Sequence, residues 1–499
     1  MAWKQSVRFH VPANIHPTED CQQTSSRKYF MDGDGQNLSP EQVKGSVART
    51  LIAALTDECK SYCMLSGYEQ LPESFDTDID FMVAREDFRR MACVIEHVAR
   101  QTSTRLFHTV EHEITARSYS LGFQSGSQLT IVQPDSACDY RHFGSLWLRA
   151  EEVLAARRWH SRGFWIPAPA HEFAYYLIKR INKRYLSQEQ GEKLHRLYEE
   201  DRCGCDNMIA RFWKGQNKAR IIHMAASNDW TFMNLDLQSF RRALRRDSAN
   251  SMLDKVIFSP TLVMHFWTRI SQPTGGWVAF IGPDGSGKSA VISAIRQQFT
   301  FAYREVRCFH LRPKSLRKTP SNDAAVTNPH GQRPRGLLMS LVKVLFLLAD
   351  YFIGFLAQVA PAIRRSQLLI FDRYIYDLLI DCKRIRYGGP LWLLRFVARI
   401  VPRPDLVILL DAPAEVLWSR KQEVPFEEVV RQREAYLQLA RGMSSTIIIN
   451  AARPLAEVIH DVDCSIVEYF ARRTAGRLKL QIPSLPAKPL EIEVPSQRC

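Results

Sequence analysis

The sequence predicts a two-part chain: an α/β C-terminal domain with a parallel sheet, and an α+β N-terminal domain with a helical extension. Three observations predict it. Between Trp277 and Phe299 an apolar run, a glycine-rich loop and a stretch of helical periodicity follow one another, and Val306 to Arg312 reads as the next strand. Upstream, a helix over 39–60 is followed by two short strand-like runs, 63–68 and 76–83. Between these parts, 167–272 shows helical spacing of its apolar residues.

The 499 residues suit two or three domains, and 45% are apolar, enough for sizeable cores. The net charge of +15 comes from 67 basic and 52 acidic side chains. That balance suits a phosphate-rich ligand or an anionic surface. The basic residues are scattered, with one small cluster at Arg241-Arg242 and Arg245-Arg246, so a nucleic-acid partner is not expected. The 11 cysteines are odd in number, and Cys203-Gly204-Cys205 is too tight for a zinc pair. Free thiols in a reducing compartment are expected. Met1 to Pro17 has no continuous apolar run, so no signal peptide is read and a cytoplasmic location is expected.

In chain order, residues 1–40 are polar and Pro-bearing and read as a poorly ordered arm. The first helix follows, with Pro40-Glu41 in its first turn and Val43, Val47, Leu51 and Leu55 on one face. Cys63 to Tyr68 and the strand Asp76-Thr77-Asp78-Ile79-Asp80-Phe81-Met82-Val83 come next. Period-2 spacing puts Asp78 and Asp80 on one side. This segment, within 41–166, resembles the nucleotidyltransferase fold, where two such aspartates hold a divalent metal against a triphosphate. The resemblance implies a third carboxylate near Gln128 to Val132, which contains none. Asp135 lies just beyond and substitutes only if the register shifts. A domain that keeps this fold and positions an acceptor is therefore expected, rather than one that transfers nucleotides.

Within 167–272, His171 and Glu172 are adjacent on a helix and point apart, so they read as capping or surface residues and not as a metal pair. Gln272-Pro273-Thr274-Gly275-Gly276 reads as a domain hinge. The next domain is expected over 273–474.

Gly282-Pro283-Asp284-Gly285-Ser286-Gly287-Lys288-Ser289 fits the phosphate-loop pattern G-x-x-x-x-G-K-[ST] without mismatch, between a strand and a helix that opens through Ala290. Its glycines let backbone N–H groups approach phosphate oxygens, and the helix N-terminus adds positive potential. Lys288 is expected at the β- and γ-phosphates, and Ser289 at Mg²⁺. ATP and Mg²⁺ are the cofactors this implies.

Four further landmarks follow in order. They are Leu368-Leu369-Ile370-Phe371-Asp372-Arg373-Tyr374, Pro404 to Pro413, the charged stretch Arg420 to Ala440, and Asn450-Ala451-Ala452-Arg453-Pro454. Together with Asp284 in the loop, they resemble the thymidylate kinases and their relatives over about 276–473. The resemblance implies that Asp372 holds Mg²⁺ through water or orients the acceptor. It also implies that Arg373 neutralises the transferring phosphoryl group, that Arg420 belongs to a mobile lid, and that 450–454 lies near adenine. Those enzymes often carry Arg directly after Asp in an acceptor-side helix. Here Asp350 is followed by Tyr351, so a poor fit to dTMP is expected. The apolar run 337–363 is long enough to span a bilayer, but Lys343 and Asp350 interrupt it. A buried helix is favoured there over a membrane-surface or spanning one. Residues 314–335 read as a substrate-side insert and 475–499 as a tail.

The function expected is Mg-assisted phosphoryl transfer from ATP to an unidentified acceptor, a small molecule or a glycan, in the manner of relatives that accompany bacterial surface-polysaccharide synthesis. The rival readings are a thymidylate kinase with an added domain, a nucleotide-binding regulator without turnover, and a nucleotidyltransferase acting at Asp78 and Asp80. The sequence does not fix the oligomeric state.

Overall fold

In the C-terminal half, the central parallel strands are short apolar runs buried on both faces, while the edge strands are partly exposed. A computed structural model describes residues 39–76, 78–125, 128–142, 145–247, 267–313 and 336–480. The expected arm, apart from Ser39 and Pro40, and the insert 314–335 lie outside the described residues.

The N-terminal half opens with a helix, Pro40–Glu58, capped by Ser39, whose hydroxyl accepts from the Gln42 N–H in a capping box. Its sheet uses β1 (Tyr62–Ser66), β2 (Asp78–Val83), β3 (Arg105–Glu113), β4 (Ala116–Ser125) and β5 (Gln128–Ala137), in the order β1-β2-β5-β4-β3. The β2–β5 pair is parallel and the other pairs are antiparallel. Helices Pro40–Glu58 and Arg85–Gln101 cover one face with Leu51, Leu55, Met91 and Ile95. Two hairpins follow: β6 (Asp139–His142) with β7 (Ser145–Arg149), and β8 (Arg158–His160) with β9 (Phe164–Ile166).

Helices then run from Pro169–Lys183 to Leu237–Asp247 around a core that includes Phe173, Leu177, Trp213 and Phe240. The pair His171–Glu172 needs a correction. The two do point apart, with His171 Nε2 3.5 Å from Glu152. Glu172, however, is fully buried, where it accepts from the Tyr68 hydroxyl and pairs with Lys193 at 2.9 Å. A structural network of opposite charges occupies what read as surface.

The parallel sheet contains β10 (Gly276–Ile281), β11 (Val306–His310), β12 (Leu368–Asp372), β13 (Leu406–Asp411) and β14 (Thr446–Asn450), in the order β11-β12-β10-β13-β14. All its pairs are parallel, and β10 and β13 are buried throughout.

Three sequence expectations change here. Pro273 to Gly276 is not a loose hinge. Gly275 N–H donates to Ile363 O at 2.9 Å, Gly276 N–H to Gln367 O at 3.0 Å, and Arg473 holds Pro273 O at 2.7 Å. The tail does not begin at 475, because the helix Leu455–Leu478 runs past it, burying Ala475. That helix lies along β3, where Thr474 Oγ1 donates to Phe107 O at 2.8 Å, and reaches β4, where Val467 meets Gly122, so it joins the two halves. Finally, the helix beginning at Leu337 is not buried all round. It is long and apolar enough to cross a membrane, yet only 33% of its most apolar window is inside the protein. A π turn, Phe355–Val359, precedes Pro361 within it, where proline has no N–H to donate.

Candidate active site

In an open parallel sheet, the groups that meet a ligand collect at the C-terminal strand ends. Here β10 ends in the phosphate loop, β11 in His310-Leu311-Arg312, β12 in Asp372-Arg373 and β13 in Asp411. Gly282 (φ 144°) and Gly285 (φ 85°) take backbone conformations closed to other residues, and a Cβ on either would strike a carbonyl oxygen, of Leu410 or Leu417. Gly287 (φ 82°) starts the helix Lys288–Phe299, in which Lys288 is buried while Ser289 and Ala290 face solvent. Pro283 and Ser286 are buried beneath. Lys288 Nζ donates to Gly282 O (2.9 Å), Pro283 O (2.7 Å) and Ser286 Oγ (3.2 Å). Burial, then the neighbouring Arg373 charge, lowers its pKa to about 8.

Asp284 is the anchor of a charged network. Arg373 and Arg384 both donate to it, Arg384 at 2.6 Å. Burial pushes the Asp284 carboxyl up, but the two guanidiniums outweigh it and hold it well below its usual range. Arg373 Nη1 also reaches Asp377 at 3.2 Å, and the Tyr436 hydroxyl donates to the same carboxylate at 2.6 Å. Arg373 is held in the left-handed region (φ 69°) by its N–H bond to Phe280 O at 2.9 Å. Strain of this kind collects where surrounding structure over-determines a functional side chain.

Asp372 stands beside His310, with Nδ1 3.4 Å from Oδ2. Burial raises its pKa, but the His310 contact and the Lys288 and Arg373 charges bring it below the usual value. Its Oδ1 is buried without a hydrogen-bond partner, so one lone-pair site remains for a water or a hydrated cation. With Ser289 on the adjacent lip, the donor set fits Mg²⁺, which takes few protein ligands and completes its shell with phosphates and water. Among the described residues no group of three or more His, Cys, Asp or Glu can hold a metal ion unaided.

Beyond the end of β11, Arg312 Nη1 donates to Asp350 Oδ2 at 2.6 Å, and the Tyr351 hydroxyl donates to Leu311 O at 2.5 Å. Leu311 N–H in turn bonds Asp372 O at 2.9 Å. A cation therefore stands beside Asp350 after all. It comes from the end of β11, where the sequence expectation looked for it at the next helix position. Arg420, read as part of a mobile lid, has its Nη1 donating to Ala451 O at 2.8 Å, in the loop read as lying near adenine. Arg433 grips Asp411 through two bonds of 2.9 Å, and Arg431 pairs with Glu428. Arg312, Arg384, Asp377 and His310 were not singled out by sequence reasoning. The only signal for Arg384 in the sequence is the local cluster of charges it forms with Asp381, Lys383 and Arg386.

In the N-terminal half, β5 extends to Ala137, five residues beyond the run that lacks acids, and Asp135 pairs in register with Asp80. A carboxylate thus stands on the strand beside Asp80, in register with it, where none was found within Gln128 to Val132. Asp80 accepts from Ser66 Oγ at 3.0 Å and from Lys179, whose ammonium also donates to the Tyr175 hydroxyl at 3.2 Å. Burial, then the Asp80 charge, raises the Asp135 carboxyl to about 7.

No protein-family model matches the chain. It is 28% identical over 193 residues to a probable thymidylate kinase of Pyrobaculum calidifontis, covering 37% of this chain and 93% of that one. It is 26% identical over 225 residues to the thymidylate kinase of Limosilactobacillus fermentum, covering 40% and 97%. With the thymidylate kinase of Xanthomonas campestris pv. campestris it shares 30% over 141 residues, covering 28% and 58%. Among solved structures, the thymidylate kinase of Ehrlichia chaffeensis aligns at 17% identity over 38% of this chain and 98% of that one, with a TM-score of 0.29. The likeness thus covers about two fifths of the chain, while the first two relatives are spanned almost end to end. The protein is an ATP-dependent kinase, with ATP and Mg²⁺ as its cofactors.

Proposed function

We propose that the site moves the γ-phosphoryl group of ATP to a phosphate-bearing acceptor of the nucleoside monophosphate class, with thymidylate the first to test. The observation that carries this reading is Arg312, fixed by Asp350 and following Leu311, whose N–H bonds Asp372 O at the end of β12. A phosphomonoester is ionised at neutral pH and attacks without losing a proton, so the site must supply cations and not a base. Lys288, Arg373, Arg384 and Arg312 are that supply. The bond from the γ-phosphorus to its bridging oxygen breaks as a new P–O bond forms to the acceptor. Lys288 and the loop N–H groups hold the donor phosphates, and Arg373 meets charge as it develops. Mg²⁺, held by Ser289 and through Asp372, would supply further neutralisation of the phosphates. Arg420 and Ala451 would bound the base.

A second reading, transfer to a sugar or glycoconjugate hydroxyl, is favoured by one observation: His310 contacts Asp372, and a hydroxyl needs a proton acceptor as it attacks. The N-terminal sheet with Asp78, Asp80 and Asp135 supports the nucleotidyltransferase-like reading of 41–166. There Lys179 neutralises Asp80, which supports a positioning role over nucleotidyl transfer. The divisions at 166 and 272 and the cytoplasmic location belong to the same proposal. Steady-state assays with dTMP and ATP test it. Turnover in the usual kinase range of roughly 1–100 s⁻¹ is expected. Turnover with a sugar and none with dTMP would favour the second reading.

A further inference from the structure

The C-terminal half carries an apolar face that phosphoryl transfer does not use. The helix Leu337–Gly354, continued through the π turn to Arg364, is apolar on two opposite stripes. Val344, Leu347 and Tyr351 pack inward. Leu338, Leu345 and Leu356 point outward and are 74%, 64% and 69% exposed. Beside it, the helix Leu391–Ile400 repeats the arrangement: Leu394 and Val397 are buried, while Trp392 and Phe396 are bare. The two helices touch, and Gly388 N–H donates to Ser340 Oγ at 3.0 Å where they meet. Scattered single apolar residues on a surface need no explanation, but a continuous face across two helices marks an interaction site.

We propose that this face docks peripherally on an anionic lipid bilayer. The charges around it select that occupant. Exposed Arg364 and Arg365 close the first helix, and exposed Arg395 and Arg399 alternate with Trp392 and Phe396 on the second. Between 337 and 365 the one acidic residue is Asp350, which is buried against Arg312, and between 386 and 403 there is none. A second copy laid on this face about a two-fold axis would bring arginines against arginines. Anionic headgroups would neutralise them, while the leucines and Phe396 enter the acyl boundary and Trp392 lies at headgroup level. The inner stripe belongs to the core, so the helix lies on the bilayer and does not cross it. Because Asp350 lies on that inner stripe, docking sets the Arg312 side of the site about one helix diameter, ~10 Å, from the headgroups.

Co-sedimentation of the full chain with phosphatidylcholine vesicles, with and without phosphatidylglycerol, tests this. The protein should pellet with anionic vesicles, less so at high salt, and stay in solution with neutral ones. Leu338→Glu with Leu345→Glu, and separately Arg395→Gln with Arg399→Gln, should each weaken binding at least about tenfold. Unchanged circular dichroism and ATP turnover show that each variant folds. If the leucine pair does not fold, the arginine pair, lying wholly at the surface, still decides. Two results would overturn the proposal. One is no pelleting with anionic vesicles, or pelleting that neither pair alters. The other is a solution dimer by sedimentation velocity that the leucine pair converts to monomer while vesicles leave it intact, which would assign the face to a second copy.

Discussion

Arg312 Nη1 stands 2.6 Å from Asp350 Oδ2, a guanidinium from the end of β11 locked by a carboxylate on the helix that opens at Leu337. The pair fixes a cation beyond the end of β11, on the side proposed for the acceptor, and charge-assisted pairing holds the guanidinium in one orientation. If it holds the acceptor phosphate, Arg312→Gln should raise the KM for dTMP about tenfold or more, roughly 1.4 kcal/mol, and leave the KM for ATP within about twofold. Equal rises in both constants would show a general loss of structure and remove Arg312 from the acceptor site.

Asp80 and Lys179 form a mostly buried pair at the N-terminal acidic row. Removing one member strands the other, so Asp80→Asn should cost about 3–5 kcal/mol in denaturant unfolding. Lys179→Met added to it should recover a good part of that loss, because no buried charge is then left alone. ATP phosphoryl transfer should stay within about tenfold in the double variant and in Asp78→Asn with Asp80→Asn. Complete loss of transfer with unchanged circular dichroism would mean that the N-terminal row takes part in the chemistry.

Asp463, on the helix that joins the two halves, is fully buried and faces the amides of Gln298 and Gln124. Burial raises its carboxyl well above the usual value, more than these hydrogen bonds lower it. The native state therefore keeps a proton that the unfolded chain gives up near pH 3.9. The stability this group contributes is full below that pH and is lost as pH rises through the folded value. Asp463→Asn should flatten that part of the pH dependence and stabilise the protein by about 1–3 kcal/mol at pH 8. Parallel urea-midpoint profiles for variant and parent between pH 5 and 8 would refute this.

The phosphate loop was legible because its pattern is local: the glycines, Lys288 and Ser289 that define it all lie between Gly282 and Ser289. The ends of β12 and β13 were legible because a buried parallel strand leaves a continuous apolar signature closed by an acid. What escaped was long-range. Asp284 meets Arg384 across 100 residues and Arg312 meets Asp350 across 38, and no periodicity announces either pair. Asp135 escaped because strand length was read from Gln128 to Val132, whereas Pro134 and two polar neighbours continue the same strand to Ala137. The outer stripe of the Leu337 helix escaped for the opposite reason: an all-apolar helix looks buried, and only tertiary packing shows which side is bare.

The central claim is transfer of the γ-phosphoryl group at Lys288. The direct measurement is incubation of the protein with ATP labelled at the γ-phosphate, and in parallel at the α-phosphate, with dTMP and with sugar acceptors, for the parent and for Lys288→Ala. The account predicts label on the acceptor from γ-labelled ATP alone, falling at least about 100-fold in the variant while circular dichroism is unchanged. Acceptor labelled from the α-phosphate, or γ-transfer undiminished in Lys288→Ala, would contradict it.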